Sequence, residues 1–117
     1  MASKTAKEAL VITKENGKEE IRLEYSKLRK ALLNLRAVNH PLRKEIIVLL
    51  EEQKKMTVTE IYVKLRVEQS VASQHLAILR KSGIVETSRN GKFIHYSVNK
   101  SRIGDLSVLI NDLARML

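Results

Sequence analysis

The 117-residue chain contains no cysteine. A disulfide framework, a thiolate metal site and a cysteine redox switch are therefore all excluded. Aromatic residues make up only 3% of the chain, whereas the hydrophobic fraction is 44%. We therefore predict a core of Leu, Ile, Val and Ala in a single domain, since this length is close to the commonest domain size.

Long hydrophobic runs are also absent. No apolar stretch approaches the ~20 residues that a membrane-spanning helix requires. The first ten residues contain lysines but no apolar segment after them, so they do not have the pattern of a signal peptide. We expect no membrane partner and a cytoplasmic, nucleoid-associated location.

Acidic residues are fewer than basic ones: 13 Asp and Glu stand against 22 Lys and Arg, which gives a net charge of +9. The net charge alone does not distinguish a polyanionic partner from a basic solvated surface. Its distribution is more informative. Residues 66–102 carry seven basic and two acidic side chains, whereas residues 103–117 carry one basic and two acidic side chains.

The hydrophobic pattern predicts a mainly α protein with one small β-hairpin. Apolar residues spaced by three and four indicate helices, and a change to alternation after Gly83 indicates strands. The predicted order is α-α-α-α-β-β-α, a winged helix-turn-helix. Its predicted parts are a mobile or loosely helical tail at 1–19 and one winged-helix domain at 20–117, with a helix-turn-helix at 57–82, a wing at 84–98 and dimerisation helices at 20–38 and 100–117.

Local signals place the boundaries of these elements. His40-Pro41 ends one helix and begins the next, because proline suits the first helical position. Thr57 and Glu60 have the spacing of a capping box. Gly83 is placed to end the fourth helix in the left-handed conformation. Asn90-Gly91 is a strong hairpin signal between strands at 84–89 and 92–98.

The predicted outward face of the fourth helix has no acidic residue. Its side chains are Gln69, Ser70, Ser73, Gln74 and Ala77. Serine and glutamine can donate and accept hydrogen bonds, and glutamine can pair with adenine in the major groove through two bonds. Phosphate contacts are predicted for four basic residues, two at the end of this helix and two beside the hairpin tip: Arg80, Lys81, Arg89 and Lys92.

Several motifs resemble the arsenic-repressor (ArsR/SmtB) family over about residues 30–100. They are Asn39-His40-Pro41-Leu42-Arg43, Leu65 with the run from Gln69 to Val85, Arg89-Asn90-Gly91-Lys92, and His95-Tyr96. The resemblance implies a homodimeric bacterial repressor whose recognition helix is 69–82. It implies DNA contacts from Gln69, Ser70, Ser73 and Gln74, and from Arg89 and Lys92 in the wing.

Two residues depart from the family pattern. The turn position commonly occupied by glycine holds Arg66, for which a left-handed conformation costs free energy. The position that commonly holds serine at the start of the recognition helix holds Glu68, a weaker helix cap. We expect Glu68 either to turn away from DNA or to contact a cytosine.

The metal ligands of many relatives are not matched. The corresponding positions hold Thr57, Thr59, Lys100, Arg102, Leu113 and Met116, none of which supplies a thiolate, imidazole or carboxylate. The three histidines, His40, His75 and His95, fall in a helix start, the recognition helix and the wing. We interpret His40 as a cap, and His75 as a half-buried packing residue or a phosphate contact. We expect no metal and no cofactor, and the effector stays open.

The first and last helices carry more apolar surface than a small domain is expected to bury. The predicted dimer contacts are Leu28, Leu32, Leu35, Ile103, Leu106, Ile110, Leu113 and Leu117. A two-fold dimer would cover them and would explain the lack of positive charge in 103–117. The alternative is that both helices only cover the core of the monomer.

We predict a sequence-specific DNA-binding regulator, a repressor that binds an inverted repeat in double-stranded DNA as a homodimer. An enzyme is not expected, because the sequence has no glycine-rich phosphate loop and no nucleophile–base arrangement, and Asp105 and Asp112 are isolated from each other. Two alternatives remain: a winged helix that binds protein, for which Ser73 and Gln74 would be dispensable, and a nonspecific architectural DNA binder without half-site spacing.

Overall fold

The computed structural model describes residues 8–117; the first seven residues of the predicted tail lie outside this range. Within it the secondary structure consists of the elements β1 (Ala9–Thr13), β2 (Glu20–Glu24), α1 (Tyr25–Val38), α2 (Pro41–Gln53), α3 (Val58–Leu65), α4 (Gln69–Lys81), β3 (Val85–Asn90), β4 (Phe93–Val98) and α5 (Lys100–Arg115). The chain divides into two compact units, Met1–Leu33 and Asn34–Leu117, with the boundary inside α1. No helix of the described part is long and apolar enough to cross a membrane.

The first unit contains a β-hairpin where we predicted a loose tail and the start of a helix. β1 and β2 pair antiparallel, with Leu10 opposite Leu23 and Ile12 opposite Ile21. In the connecting loop, the Asn16 side chain accepts hydrogen bonds from two backbone amides, at 2.9 and 3.2 Å. The prediction was wrong over 9–13 and 20–24, because alternation brings four aliphatic side chains to one hairpin face, where they form cross-strand pairs. Helix α1 accordingly begins at Tyr25 rather than at residue 20.

The second unit contains the winged helix-turn-helix. Its core is aliphatic, as composition predicted; the largest fully buried side chains are Ile46, Leu50, Ile61, Leu76, Leu79 and Ile84. Leu106 of α5 and Ala37 of α1 belong to the same buried cluster. The core therefore holds α2, α3, α4 and the base of the wing together, and α5 adds one buried residue to it.

The helix ends of this unit follow the predicted signals. His40 caps α2, since its Nδ1 accepts from the amide of Leu42 at 3.1 Å. Thr57 and Glu60 form the capping box: the Thr57 hydroxyl accepts from the Glu60 amide at 3.2 Å, and the Glu60 carboxylate accepts from the Thr57 amide at 2.8 Å. The bond from the Thr57 amide is the main reason that the pKa of Glu60 lies below its usual value. Gly83 has a φ of 78° after α4, in the left-handed region.

The turn between α3 and α4 contains a strained residue. Arg66 has φ 58° and ψ 45°, and its amide bonds to the carbonyls of Tyr62 and Val63. This left-handed conformation costs an L-residue conformational free energy, whereas glycine adopts it without that cost. The cost foreseen for this departure from the family pattern is therefore present in the fold.

The wing is an antiparallel hairpin in which Val85 faces Val98 and Asn90 faces Phe93. Its two-residue loop is Gly91-Lys92, one residue later than predicted. Gly91 has a φ of 64°, and a glycine at the first loop position is typical of a type II′ turn. At the base, Met56 and Tyr96 exchange two backbone hydrogen bonds, of 3.1 and 2.7 Å, which join the wing to the segment before α3.

Candidate DNA interface

Helix α4 has one buried face and one exposed face. Ala72, Leu76 and Leu79 are buried in the core. The polar side chains predicted to contact bases, Gln69, Ser70, Ser73 and Gln74, are all exposed. At 100° per residue they fall within an arc of about 140° around the helix axis. The fold therefore brings these four predicted residues together on one surface, which we call the outer face of α4.

The outer face of α4 is free to bind a ligand. None of its four polar side chains forms a hydrogen bond or ion pair with another residue of the described part. Arg80 and Lys81 lie in the last turn of the helix and are exposed. In the same projection both fall inside the arc of the polar side chains. The outer face of α4 thus combines hydrogen-bonding groups with two positive charges and carries no acid.

The side chain of Glu68, the residue before α4, makes no hydrogen bond to the start of the helix. Glu68 occupies the N-cap position, but its side chain makes no capping bond. This agrees with the expectation that glutamate caps poorly here. The first turn of α4 contains no acidic residue, so within residues 68–72 the one carboxylate is that of Glu68.

The wing presents its predicted basic residues at the tip. Arg89 and Lys92 are exposed, and Lys92 lies in the loop itself. The Lys92 ammonium is 5.6 Å from the centre of the Phe93 ring, a distance at which a cation is attracted to an aromatic face. Phe93 is itself half exposed. The wing tip therefore offers two cations and one exposed aromatic ring.

Sequence analysis missed a contact with the side of α4 that is opposite its outer face. Arg43 of α2 places its Nη1 3.1 Å from Nδ1 of His75, on α4. The ring of His75 lies 4.5 Å from that of His40, between centroids. Arg43 and both histidines stand in the family motifs, but no local signal pairs residues 32 positions apart. His75 is half-buried, as expected, and the side chains it contacts, those of Arg43 and His40, belong to the protein itself.

The eight predicted dimer residues divide into two groups. Leu106 is buried in the core of the chain, and Leu35 and Ile103 pack against the same core, so these three have a role within the monomer. The other five are exposed, with exposed fractions from 38% to 106%: Leu28, Leu32, Ile110, Leu113 and Leu117. Helix α5 therefore has an uncovered apolar face besides the side that packs on the core.

The described residues do not fit a metal site. No three His, Asp or Glu side chains within residues 8–117 come together around a common point. Thr57 is engaged in the capping box, and Arg102 packs its guanidinium beside Gly83. We derive no role for a metal ion at these positions.

Comparison with known proteins identifies the family. Residues 40–87 match the arsR family of bacterial regulatory proteins. The transcriptional repressor PagR of Bacillus anthracis is 32% identical over 92 residues, which are 79% of this chain and 92% of that protein. The transcriptional activator HlyU of Vibrio cholerae is 30% identical over 84 residues, which are 72% of this chain and 77% of that protein.

Solved structures agree with these matches. The crystal structure of PagR has a TM-score of 0.60 at 33% identity and covers 74% of this chain and 99% of its own. The structure of HlyU from Vibrio cholerae has a TM-score of 0.58 at 29% identity and covers 77% of this chain and 94% of its own. The chain therefore belongs to the arsR family of bacterial regulatory proteins and is a DNA-binding transcriptional regulator with a winged helix-turn-helix fold, not an enzyme.

Proposed function

We propose that this protein represses transcription as a homodimer that binds an inverted-repeat operator, with helix α4 of each copy in the major groove. The observation that carries this proposal is the outer face of α4, which is exposed, polar and free of acid. A solvated helix face normally carries Glu and Lys, whereas Ser and Gln suit the donor and acceptor pattern of base edges.

The roles follow from the chemistry of each side chain. Gln69 and Gln74 can each pair with adenine through two hydrogen bonds, and serine hydroxyls can contact several bases. The cations at the end of α4 and at the wing tip bind phosphates, which fix the position of the protein without reading sequence. Each phosphate neutralised adds about −0.9 to the slope of log affinity against log salt concentration.

Dimerisation accounts for the uncovered apolar residues. Leu113 is 43% exposed and Ile110 is 42% exposed on α5, and a second copy that covers them would remove this surface from water. A two-fold dimer places two recognition helices about 34–36 Å apart, on successive major grooves of an inverted repeat. Occlusion of a promoter by such a dimer represses transcription, and binding to the chromosome implies a cytoplasmic, nucleoid-associated location.

The first experiment is selection of sheared genomic DNA with the purified protein at about 150 mM salt, which suppresses nonspecific attraction. Enrichment of a few promoters that share an inverted repeat supports the proposal. Uniform retention of all DNA fragments, with no shared motif, would instead make the protein an architectural binder. No retention at all would favour a protein-binding module, and either result overturns the proposal.

A matched pair of variants tests the base contacts. Gln74→Ala removes a side chain of the outer face of α4 and is expected to weaken binding to the selected operator by about 1–3 kcal/mol. Gln53→Ala makes the same chemical change at an exposed position of α2 and should leave affinity unchanged. Equal affinities of the two variants would remove Gln74 from the interface.

A second pair tests the dimer. Leu113→Asp places a charge on the uncovered face of α5 and is expected to give monomers in sedimentation velocity, with weakened operator binding. Val48→Asp changes an aliphatic residue of α2 that is 56% exposed and should remain dimeric. A dimeric Leu113→Asp protein with full affinity would show that this face is not the dimer interface.

A further inference from the structure

Arg43 is tied to three groups from two other helices. Its Nε donates to the carbonyl of Ala37 at 2.7 Å, and its Nη2 donates to the carbonyl of Arg36 at 3.0 Å. Both carbonyls are in the last turn of α1, where helix carbonyls lack partners within the helix. The third nitrogen, Nη1, is 3.1 Å from Nδ1 of His75. One planar guanidinium thus joins the end of α1, the start of α2 and the middle of α4.

The chemistry of this contact fixes the state of His75. A guanidinium has only N–H donors and no acceptor. Nδ1 of His75 must therefore accept the bond through its lone pair, so the ring is neutral and carries its proton on Nε2. A protonated His75 loses this acceptor and brings a second positive charge beside Arg43. The contact exists only while His75 is neutral.

We propose that Arg43 is a positioning residue for DNA recognition, which holds α4 against the junction of α1 and α2 through neutral His75 and releases it when His75 is protonated. This inference rests on the proposed role of α4 as the recognition helix. His75 lies on the half-buried side of α4, outside the arc of the outer face and beside the buried residues Ala72 and Leu79, so it acts through the position of the helix rather than by touching DNA.

The surroundings of His75 set the direction of its titration. From α2, the charged or titratable groups that face it are His40 and Arg43, and α1 contributes the carbonyls that hold Arg43. On α4 itself, the neighbours at three and four positions are Val71, Ala72, Ile78 and Leu79, none of which ionises. Burial lowers the pKa of His75 below its usual 6.5, and the charges of His40 and Arg43 lower it further.

The sign of the pH dependence follows from this shift. Above pH 6.5 both the folded and the unfolded chain hold His75 neutral, and the full contribution of the contact to stability is present. As pH falls below 6.5, the unfolded chain takes up the proton more readily, so stability falls until the folded pKa is reached. DNA affinity should fall at still lower pH, as His75 of the folded protein takes up its proton and the contact with Arg43 is lost.

NMR of the histidine rings tests the contact without DNA. ¹⁵N shifts of the free protein at pH 7.5 should show His75 protonated at Nε2 only. Arg43→Met removes the donor and the charge, and should raise the pKa of His75. A proton on Nδ1, or an unchanged pKa in Arg43→Met, would overturn the inference whatever the protein binds.

The second test measures affinity for the duplex most enriched in the genomic selection, at pH 7.5 and pH 5.5. His75→Asn keeps an acceptor near the place of Nδ1 but cannot be protonated there. Relative to this variant, the wild-type protein should lose affinity for the duplex as the pH is lowered from 7.5 to 5.5.

Arg43→Lys serves as a second variant, in case His75→Asn does not fold. It keeps the positive charge but not the planar fork, so it should bind more weakly at pH 7.5 and lose the pH dependence. Parallel pH profiles of the wild-type protein and the folded variant would refute the proposal. Loss of specific binding by the wild-type protein at pH 7.5 would instead count against the proposed function.

Discussion

Arg66→Gly is expected to stabilise the protein. Arg66 holds φ 58° and ψ 45° between the two helices of the helix-turn-helix, and this conformation costs an L-residue about 1–2 kcal/mol. Glycine removes that cost but loses about 0.4–1 kcal/mol through the greater freedom of the unfolded chain. The difference is a gain of about 0.5–1 kcal/mol in the free energy of unfolding.

Urea unfolding at one fixed protein concentration measures this gain. With a slope of about 2 kcal/mol/M, the midpoint should rise by about 0.3–0.5 M. Arg66→Ala is the matched control, because it removes the same exposed side chain but keeps an L-residue in the left-handed conformation. Its midpoint should stay near that of the wild-type protein. If Arg66→Gly were no more stable than Arg66→Ala, the turn would store no backbone strain and the reasoning would be wrong.

Two further predictions concern glycine and capping. Gly83→Ala should lower the free energy of unfolding by about 1–2 kcal/mol, because φ is 78° there and the new Cβ would lie 3.1 Å from the flexible guanidinium of Arg102. Gly104→Ala, in open space within α5, should raise the free energy of unfolding by about 0.5–1 kcal/mol. Equal stabilities of the two variants in urea unfolding would contradict this prediction. Thr57→Ala should cost about 1 kcal/mol through loss of the capping box with Glu60, whereas Thr57→Ser should keep most of the stability; equal urea midpoints for these two variants would show that the hydroxyl does not cap α3.

Local chemistry explains which elements the sequence could predict. The capping box at Thr57 and Glu60, the proline start of α2 and the glycine end of α4 each depend on side chains within a few residues, so the pattern contains the whole interaction. The outer face of α4 was predictable for the same reason, since a helix places residues 69, 70, 73 and 74 on one side by its own geometry.

The features that sequence analysis did not predict correctly depend on residues that are far apart in the chain. Ile21 is four residues before Tyr25, which fits a helix, and two before Leu23, which fits a strand. The choice is decided by pairing with Leu10 and Ile12 of β1, which no window around Ile21 contains. The contact of Arg43 with His75 joins distant residues in the same way. Leu106 was assigned to a dimer because the spacing shows that a helix has an apolar face but not which neighbour covers it.

The backbone hydrogen bonds between Met56 and Tyr96 anchor the wing at its base and leave its tip unanchored. At its base the hairpin is bonded on both sides, to its own partner strand and to the segment that leads into α3. Between Tyr96 and Gly91, the described residues give the hairpin no backbone hydrogen bonds other than those between its own two strands, so we expect its freedom to move to increase toward the tip, where Lys92 and Arg89 lie. If the wing tip contacts a phosphate as proposed, we expect that contact to order only the last few residues of the wing. The conformational entropy lost on such binding would then be confined to the tip, because the base of the wing is already held by hydrogen bonds on both sides.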